Sequence, residues 1–407
     1  MHACEADTRL VSENAFTNGT PRRWMAVGQS DETSAREAGQ AAAVRALLGR
    51  ADARLLIVFT SCAYDLEELL AGIRSQAPGV PLIGCSTAGE IATNGPGSAS
   101  VVVVAMGGEG FEARTAVAED ASSGLREAGA EVASKLASEN GHPHRVLLLL
   151  TDGLAGDQQE IVRGGYGVLG ASVPLVGGCA GDDLAMTKTF QLHDDRVLSD
   201  AVVAAWIASE APLGIGVRHG WRRVGTPMVV TRSADNRVYL LDDQPALDVY
   251  LERLNAPAEA RVDAAAFTRF AMTHPLGIGR RTGEDHVRFV AGADFDDRSL
   301  GCIAEVPQGG VAWFMEGDAD SVLEATDAAC ADALASLAPQ PPVGVLAFDC
   351  IARRGVLGEH LIENEIERVG HHAEGAPVAG FYTYGEIART HGISGFHNQT
   401  LVVLALS

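Results

Sequence analysis

Residues 80–92 read VPLIGCSTAGEIA and residues 376–388 read APVAGFYTYGEIA. Aligned without a gap, they share Gly84 with Gly380, Thr87 with Thr383, Gly89 with Gly385, and Glu90–Ala92 with Glu386–Ala388. A looser third copy, VPLVGGCAGDD (173–183), is one residue shorter and places Asp182 where the others carry Glu. Upstream of each lies a short apolar run: LLIVFTSC (55–62), VLLLLTDG (146–153) and VGVLAFDC (343–350). Downstream of each comes another, SVVVVAM (100–106), SDAVVAAWI (199–207) or TLVVLAL (400–406). Runs of this length suit buried strands. The segments between them are helical in pattern: after Asp65, a plausible N-cap, Leu66, Leu69, Leu70 and Ile73 follow an amphipathic spacing. Each copy therefore reads as strand, helix, strand, Gly-rich turn, acid, strand. Internal repetition of this kind predicts an α/β chain: two related α/β domains with mixed sheets built from repeated strand-helix-strand units.

The length, 407 residues, is about twice a typical domain and supports two cores. Residues 1–23 lack periodicity and read as a disordered tail; the best boundary beyond them lies near Gly220, giving units 24–220 and 221–407. The net charge of −22 repels phosphate backbones and anionic lipid heads, so neither nucleic acid nor a membrane is expected as a partner. No run reaches 18 apolar residues and MHACEADTRL lacks a basic start and apolar core, so a cytoplasmic protein is expected. The 7 Cys form no CxxC and read as reduced thiols.

The Gly84–Gly89 spacing matches a phosphate loop, but Glu90 stands where a Lys would neutralise phosphate oxygens. GIGVRHG (214–220) and GIGRRTG (277–283) have the wrong spacing for a dinucleotide fingerprint. A different ligand suits the turns. Free N–H groups could hold a carboxylate and Glu90 or Glu386 an ammonium, together matching a zwitterionic, amino-acid-like molecule. The ligand-binding set so expected is Gly84, Ser86, Thr87, Gly89, Glu90, Asp182, Tyr382, Thr383, Tyr384, Gly385 and Glu386. The competing reading is that each Glu caps neighbouring N–H groups. Asp152, Asp157, Glu160, Asp182 and Asp183 would surround a cation if their loops met, though a solvated acidic rim is the plainer reading and no metal is expected. No Cys signature, GxSxG or HExxH is present, so no catalytic residue is assigned. His219 (RHGWRR) and His274 (THPLGI) could ligate a haem iron, though a hydrogen-bonded structural histidine is the plainer reading of each.

Taken together, VPLIGCSTAGEI, the LLLLTDG and PLVGGCAGDD pair, PLGIGVRHGWRRVG and the closing VAGFYTYGEIARTHGISGFHNQTLVVLAL resemble the FIST family over residues 24–407, N-terminal and C-terminal parts both. The resemblance implies a sensory module for signal transduction that binds small ligands such as amino acids. Some members are fused to histidine kinase, chemoreceptor or cyclic-di-GMP domains; nothing like these lies outside the matching span here, so the signal is expected to pass to a separate partner such as a histidine kinase. A branch of similar stand-alone proteins binds haem, senses nitric oxide and controls a kinase, which makes haem the alternative to a cofactor-free sensor. An enzyme with an unrecognised site is the third reading.

Overall fold

The computed structural model describes residues 23–137, 142–279, 285–390 and 395–407. All but the last residue of the expected tail, 1–23, lies outside the described residues. The mixed α/β character is as expected, and so is the repetition. In the first copy an edge strand (Trp24–Ser30) leads through a helix (Ala35–Leu47) to a central strand (Ala53–Thr60). A second helix (Leu66–Arg74) then returns the chain to a parallel strand (Leu82–Ser86). A hairpin (Glu90–Ala92 and Gly95–Gly97) and a closing strand (Val101–Gly107) complete it. The second copy repeats this order from Phe111–Glu119 to Ala201–Ser209, and the third from Leu213–Arg218 to Leu401–Leu406.

Local chemistry fixes the elements. The Asp65 carboxylate accepts from the N–H groups of Glu67 and Glu68, and Leu66, Leu69, Leu70 and Ile73 are buried, as their spacing predicts. Asp157 caps the corresponding helix of the second copy (Gln158–Leu169). The central strands are buried along nearly their whole length, since helices cover one face and other sheets the other. Gly177 and Gly380, at matching places in the parallel strands, are there for close approach: an added Cβ would lie 1.9 Å from the Leu149 carbonyl oxygen and 1.7 Å from that of Ala347. Gly84 faces Val58 in the same way. These glycines serve sheet packing rather than ligand contact.

No copy keeps its own hairpin. The hairpin of the first copy pairs with the third copy's strand, Gly380 opposite Ile91. That of the second (Gln191–His193 and Arg196–Leu198) joins the first sheet, Leu192 opposite Gly84. That of the third (Glu386–Arg389 and Phe396–His397) joins the second sheet, Glu386 opposite Gly178. The exchange is cyclic, and three six-stranded sheets of the same order result. Their inner faces close on one core, where Phe59 stacks on Phe381 at 4.9 Å and Phe348 meets both edge-on.

The second domain is an insertion. Between the third copy's edge strand (Leu213–Arg218) and its first helix (Ala319–Ala335), residues 222–316 form an antiparallel sheet with two helices, Ala246–Arg253 and Ala264–Ala271. It has a core of its own around Tyr250, Phe267 and Phe314. A division at Gly220 is therefore not the one the sheets make. The third copy stays whole around the insertion, because its edge strand Leu213–Arg218 pairs with its closing strand Leu401–Leu406.

Candidate functional site

The three Gly-rich turns do meet, and they lock into one another. Ala88 N–H donates to Tyr382 O (3.0 Å) and Tyr382 N–H to Gly89 O (2.8 Å). Cys179 N–H donates to Gly385 O (2.8 Å) and Tyr384 N–H to Cys179 O (3.2 Å). Ser86 Oγ donates to Gly181 O (2.7 Å) and accepts from Phe190 N–H (2.9 Å). Gly89 N–H and Gly385 N–H are held within their own turns by Thr87 Oγ1 and Thr383 Oγ1. The turn donators expected to hold a carboxylate are thus engaged within the protein.

The two glutamates are engaged as well. Glu90 accepts from Thr87 Oγ1 (2.5 Å) through one oxygen and from Ser100 Oγ (2.6 Å) and N–H (3.2 Å) through the other. Glu386 accepts from Thr383 Oγ1 (2.6 Å) and from Thr400 N–H (3.0 Å). Both are fully buried, and burial pushes the carboxyl of Glu90 up and that of Glu386 to about 8 despite these hydrogen bonds. Each braces its turn against the start of the closing strand. In this structure they are capping groups, the competing reading above, and no ammonium could reach them without unfolding the turn.

Asp182 is not their counterpart. The residue that opens the second copy's hairpin and bonds the start of its closing strand is Gln191, whose Oε1 accepts from Ala201 N–H (3.2 Å) while its Nε2 donates to Thr189 Oγ1 (3.3 Å). Asp182 instead organises the loop before it, accepting from the N–H groups of Met186 (2.9 Å), Thr187 (2.7 Å) and Lys188 (2.9 Å) and from the Tyr384 hydroxyl. Burial opposes its ionisation, but these donors together hold it below the usual carboxylate range.

At each junction the loop leaving a central strand faces the turn or hairpin that arrives from another copy, and the three junctions differ. Around residues 62–67 and 188–199 the first is a shallow groove of about 350 Å³. The third is plugged by Arg354, which donates to Ala88 O (3.2 Å), crowds Gly89 and lies over the Tyr382 ring. The second is roofed by the inserted domain. There Gly153–Asp157 and the start of the helix Gln158–Leu169 face Asp235, Asn236 and Ile303–Glu305 across a cleft of about 750 Å³, with Tyr384 at its inner wall. A smaller apolar pocket of about 120 Å³ adjoins it through Gly153, Ile303 and Tyr384 and runs between Leu184, Met186, Phe289 and Ile351 to Asn398.

The cleft carries acids, Asp157, Glu160, Asp235 and Glu305, and one lining guanidinium, Arg163, paired with Glu160 and Glu305. Behind it lies Arg288, 7% exposed, which donates to the carbonyls of Glu305 (3.0 Å) and Val287 (3.2 Å) and feels the charges of Asp157 and Glu305. Of the expected ligand residues only Tyr384 lines this cleft. Sequence reasoning had no signal for Asn398, Ile303 or Arg288, which lie in separate elements that only the insertion brings together.

The remaining expectations can be placed. Asp152 bonds Leu154 N–H and Asp200 N–H, and among the described residues no group of three or more His, Cys, Asp or Glu is arranged to hold a metal. Burial pushes His219 down to about 4, and its Nδ1 accepts from Trp221 N–H (2.9 Å). His274 stacks on Phe270 at 4.2 Å with Nδ1 beside Phe270 O and Thr273 Oγ1. Neither lines the groove, the cleft or the apolar pocket described above. The Cys62 thiol is pushed up by burial and by Asp183, and Cys85, Cys179 and Cys350 are pushed up by burial, the reverse of an activated nucleophile. Among the described residues no helix is long and apolar enough to cross a membrane.

Comparison with known proteins adds an independent line. An uncharacterized protein of Methanocaldococcus jannaschii is 25% identical over 252 residues, 57% of this chain and 48% of that one. An uncharacterized protein of Mycobacterium tuberculosis is 26% identical over 230 residues, 56% of this chain and 59% of its own length. The chain thus spans about half the length of the curated relatives it matches. Residues 54–244 match the FIST N domain, and residues 246–389 match the FIST C domain. With the two matches side by side over most of its length, the chain belongs to the FIST family of sensory, ligand-binding domains.

Proposed function

We propose that this protein is a sensor that binds a small, amino-acid-like ligand in the cleft between the three-copy body and the inserted domain, and reports it to a separate signalling partner such as a histidine kinase. The observation that carries the reading is the roofed second junction, whose cleft has walls from both the three-copy body and the inserted domain. A ligand touching both walls favours the arrangement in which they are closest, and a partner that reads that arrangement receives the signal. Acids and the paired Arg163 guanidinium line the cleft, so charge of both signs is present, which suits a zwitterion better than a simple anion. The raised thiols are poor nucleophiles, which accords with a binding role.

The test is a thermal-shift screen of amino acids and related zwitterions on the full chain, followed by small-angle scattering with and without the hit. Binding that is lost in Ile303→Trp, together with a ligand-induced compaction, is the expected result. Hits that bind Ile303→Trp unchanged, or bind with no change in scattering or hydrogen exchange, remove the basis of the reading. A saturable Soret band on haemin titration, lost in His219→Ala or His274→Ala, would replace it with haem sensing.

A further inference from the structure

The apolar pocket beside the cleft is built where three parts of the chain meet. Leu184 and Met186 come from the second copy, Ile351 from the third, and Phe289 and Ile303 from the inserted domain. It shares Gly153, Ile303 and Tyr384 with the charged cleft, so one molecule can occupy both. The pocket itself has little polar to offer. The Tyr384 hydroxyl is committed to Asp182 and to Leu184 N–H, the Asn398 side-chain oxygen is shut off from solvent, and Cys350 keeps a buried thiol. A small apolar recess opening from a charged cleft suits a ligand with a polar head and an apolar tail.

The rim of the recess is presented rather than packed. Leu184 and Met186 are 61% and 56% exposed, although both are large and apolar. Asp183, Leu184 and Met186 all sit at positive φ, 54°, 64° and 52°. Left-handed backbone at three non-glycine residues is unfavourable and persists only where the surroundings impose it. Here Asp182 and Tyr384 impose it: the Tyr384 hydroxyl accepts from Leu184 N–H (2.7 Å) and donates to Asp182, which also accepts from Met186 N–H (2.9 Å). The fold thus holds two apolar side chains at the recess with surface left over, which an apolar group of the ligand would remove from water.

We infer that this recess is the side-chain pocket of the ligand site, and that it selects amino-acid-like ligands with an aliphatic or thioether side chain of about four heavy atoms, as in leucine or methionine, over small, polar or aromatic ones. The size follows from the volume. About 120 Å³ falls short of the roughly 150 Å³ that takes up benzene, so an aromatic ring overfills the recess, while a lone methyl leaves most of it empty. The inference rests on the cleft being the ligand site and adds which side chains that site accepts.

The experiment is isothermal titration calorimetry of the full chain with alanine, 2-aminobutyrate, norvaline and norleucine, a series with one head and a tail that grows by a methylene at each step. The expected result is an affinity that rises about fourfold per methylene, roughly sixtyfold from alanine to norleucine, with phenylalanine weaker than norleucine. In the double variant Leu184→Ala/Met186→Ala, which trims two exposed side chains, the rise drops below about twofold per methylene while alanine binds as before. Equal affinities along the series, a rise that survives the double substitution, phenylalanine binding more tightly than norleucine, or binding of polar amino acids alone overturns the inference and leaves the sensory reading standing. If no amino acid binds at all, the sensory reading fails and takes the inference with it.

Discussion

Glu386→Gln should cost little stability at neutral pH, although it alters a fully buried carboxyl with two strong contacts. The argument starts from the protein's own second copy, where Gln191 already does this work: Oε1 to the N–H that opens the closing strand, Nε2 to a threonine hydroxyl. Burial raises Glu386 to about 8, so at pH 7 the side chain is mostly a neutral acid and a neutral amide imitates it. The sign of the pH effect follows. In the unfolded chain the carboxyl titrates near 4.3, so between that value and about 8 the folded state holds more protons, and stability falls as pH rises. The slope approaches about 1.4 kcal/mol per pH unit, or roughly 2–3 kcal/mol between pH 5.5 and 7.5. Measured by urea denaturation, wild type minus Glu386→Gln should therefore decline by that amount over the window and level off above pH 8. A difference that is flat, or that grows with pH, would mean the braced carboxyl is ionised in the fold and would refute the reasoning.

Three further outcomes follow from the same packing. Arg353→Met leaves Asp349 and Glu365 buried without the guanidinium that holds each at 2.6 Å, and should lower stability by about 3–5 kcal/mol in the same assay. Gly380→Ala forces a Cβ onto the Ala347 carbonyl and should abolish soluble folded protein, whereas Gly167→Ala, in a helix with open space beside it, should stabilise by about 0.5–1 kcal/mol. Tyr384→Phe removes the contacts to Asp182 and Leu184 N–H and should speed hydrogen exchange over residues 183–188 while leaving the central strands protected.

The repeat was legible because it is local: each copy carries its apolar strand runs and its Gly-rich turn, and the first and third share Thr-x-Gly-Glu. What the turn does was not legible, because a buried brace and an exposed receptor use the same residue types. Glu90 and Glu386 were chosen for polarity, and only their contacts with Ser100 and Thr400 reveal the brace. The misplacement of Asp182 has a more specific cause. The second copy lengthens the loop between turn and hairpin, so alignment by the turn alone stops at an acid, while the homologous residue is Gln191. Counting back from the closing strands would have found it, since the N–H groups of Ser100, Ala201 and Thr400 donate to equivalent side chains, Glu90, Gln191 and Glu386. The hairpin exchange was beyond reach for another reason: strand pairing between Ile91 and Gly380 depends on a register that no local pattern encodes.

The exchange also explains why the insertion matters. A cyclic body with three equivalent junctions offers three equivalent sites, and a sensor that must favour one arrangement gains nothing from binding the same ligand in three places. This chain breaks the equivalence twice. Arg354 closes one junction with its own side chain, and the domain at residues 222–316 leaves the third copy after Arg218 and roofs another. The segment that roofs the site is thereby tied at both ends to the third copy, while the floor it covers belongs to the second. The second and third copies touch along the pairing of Glu386–Arg389 with Leu175–Gly178 and at Tyr384, whose turn bonds Cys179 and whose hydroxyl holds the 182–184 loop. A disulfide engineered between the roof and the floor should fix the scattering profile in the compact form without ligand, while one within the third copy should not. A tethered protein that still expands and contracts with ligand would place the moving part elsewhere.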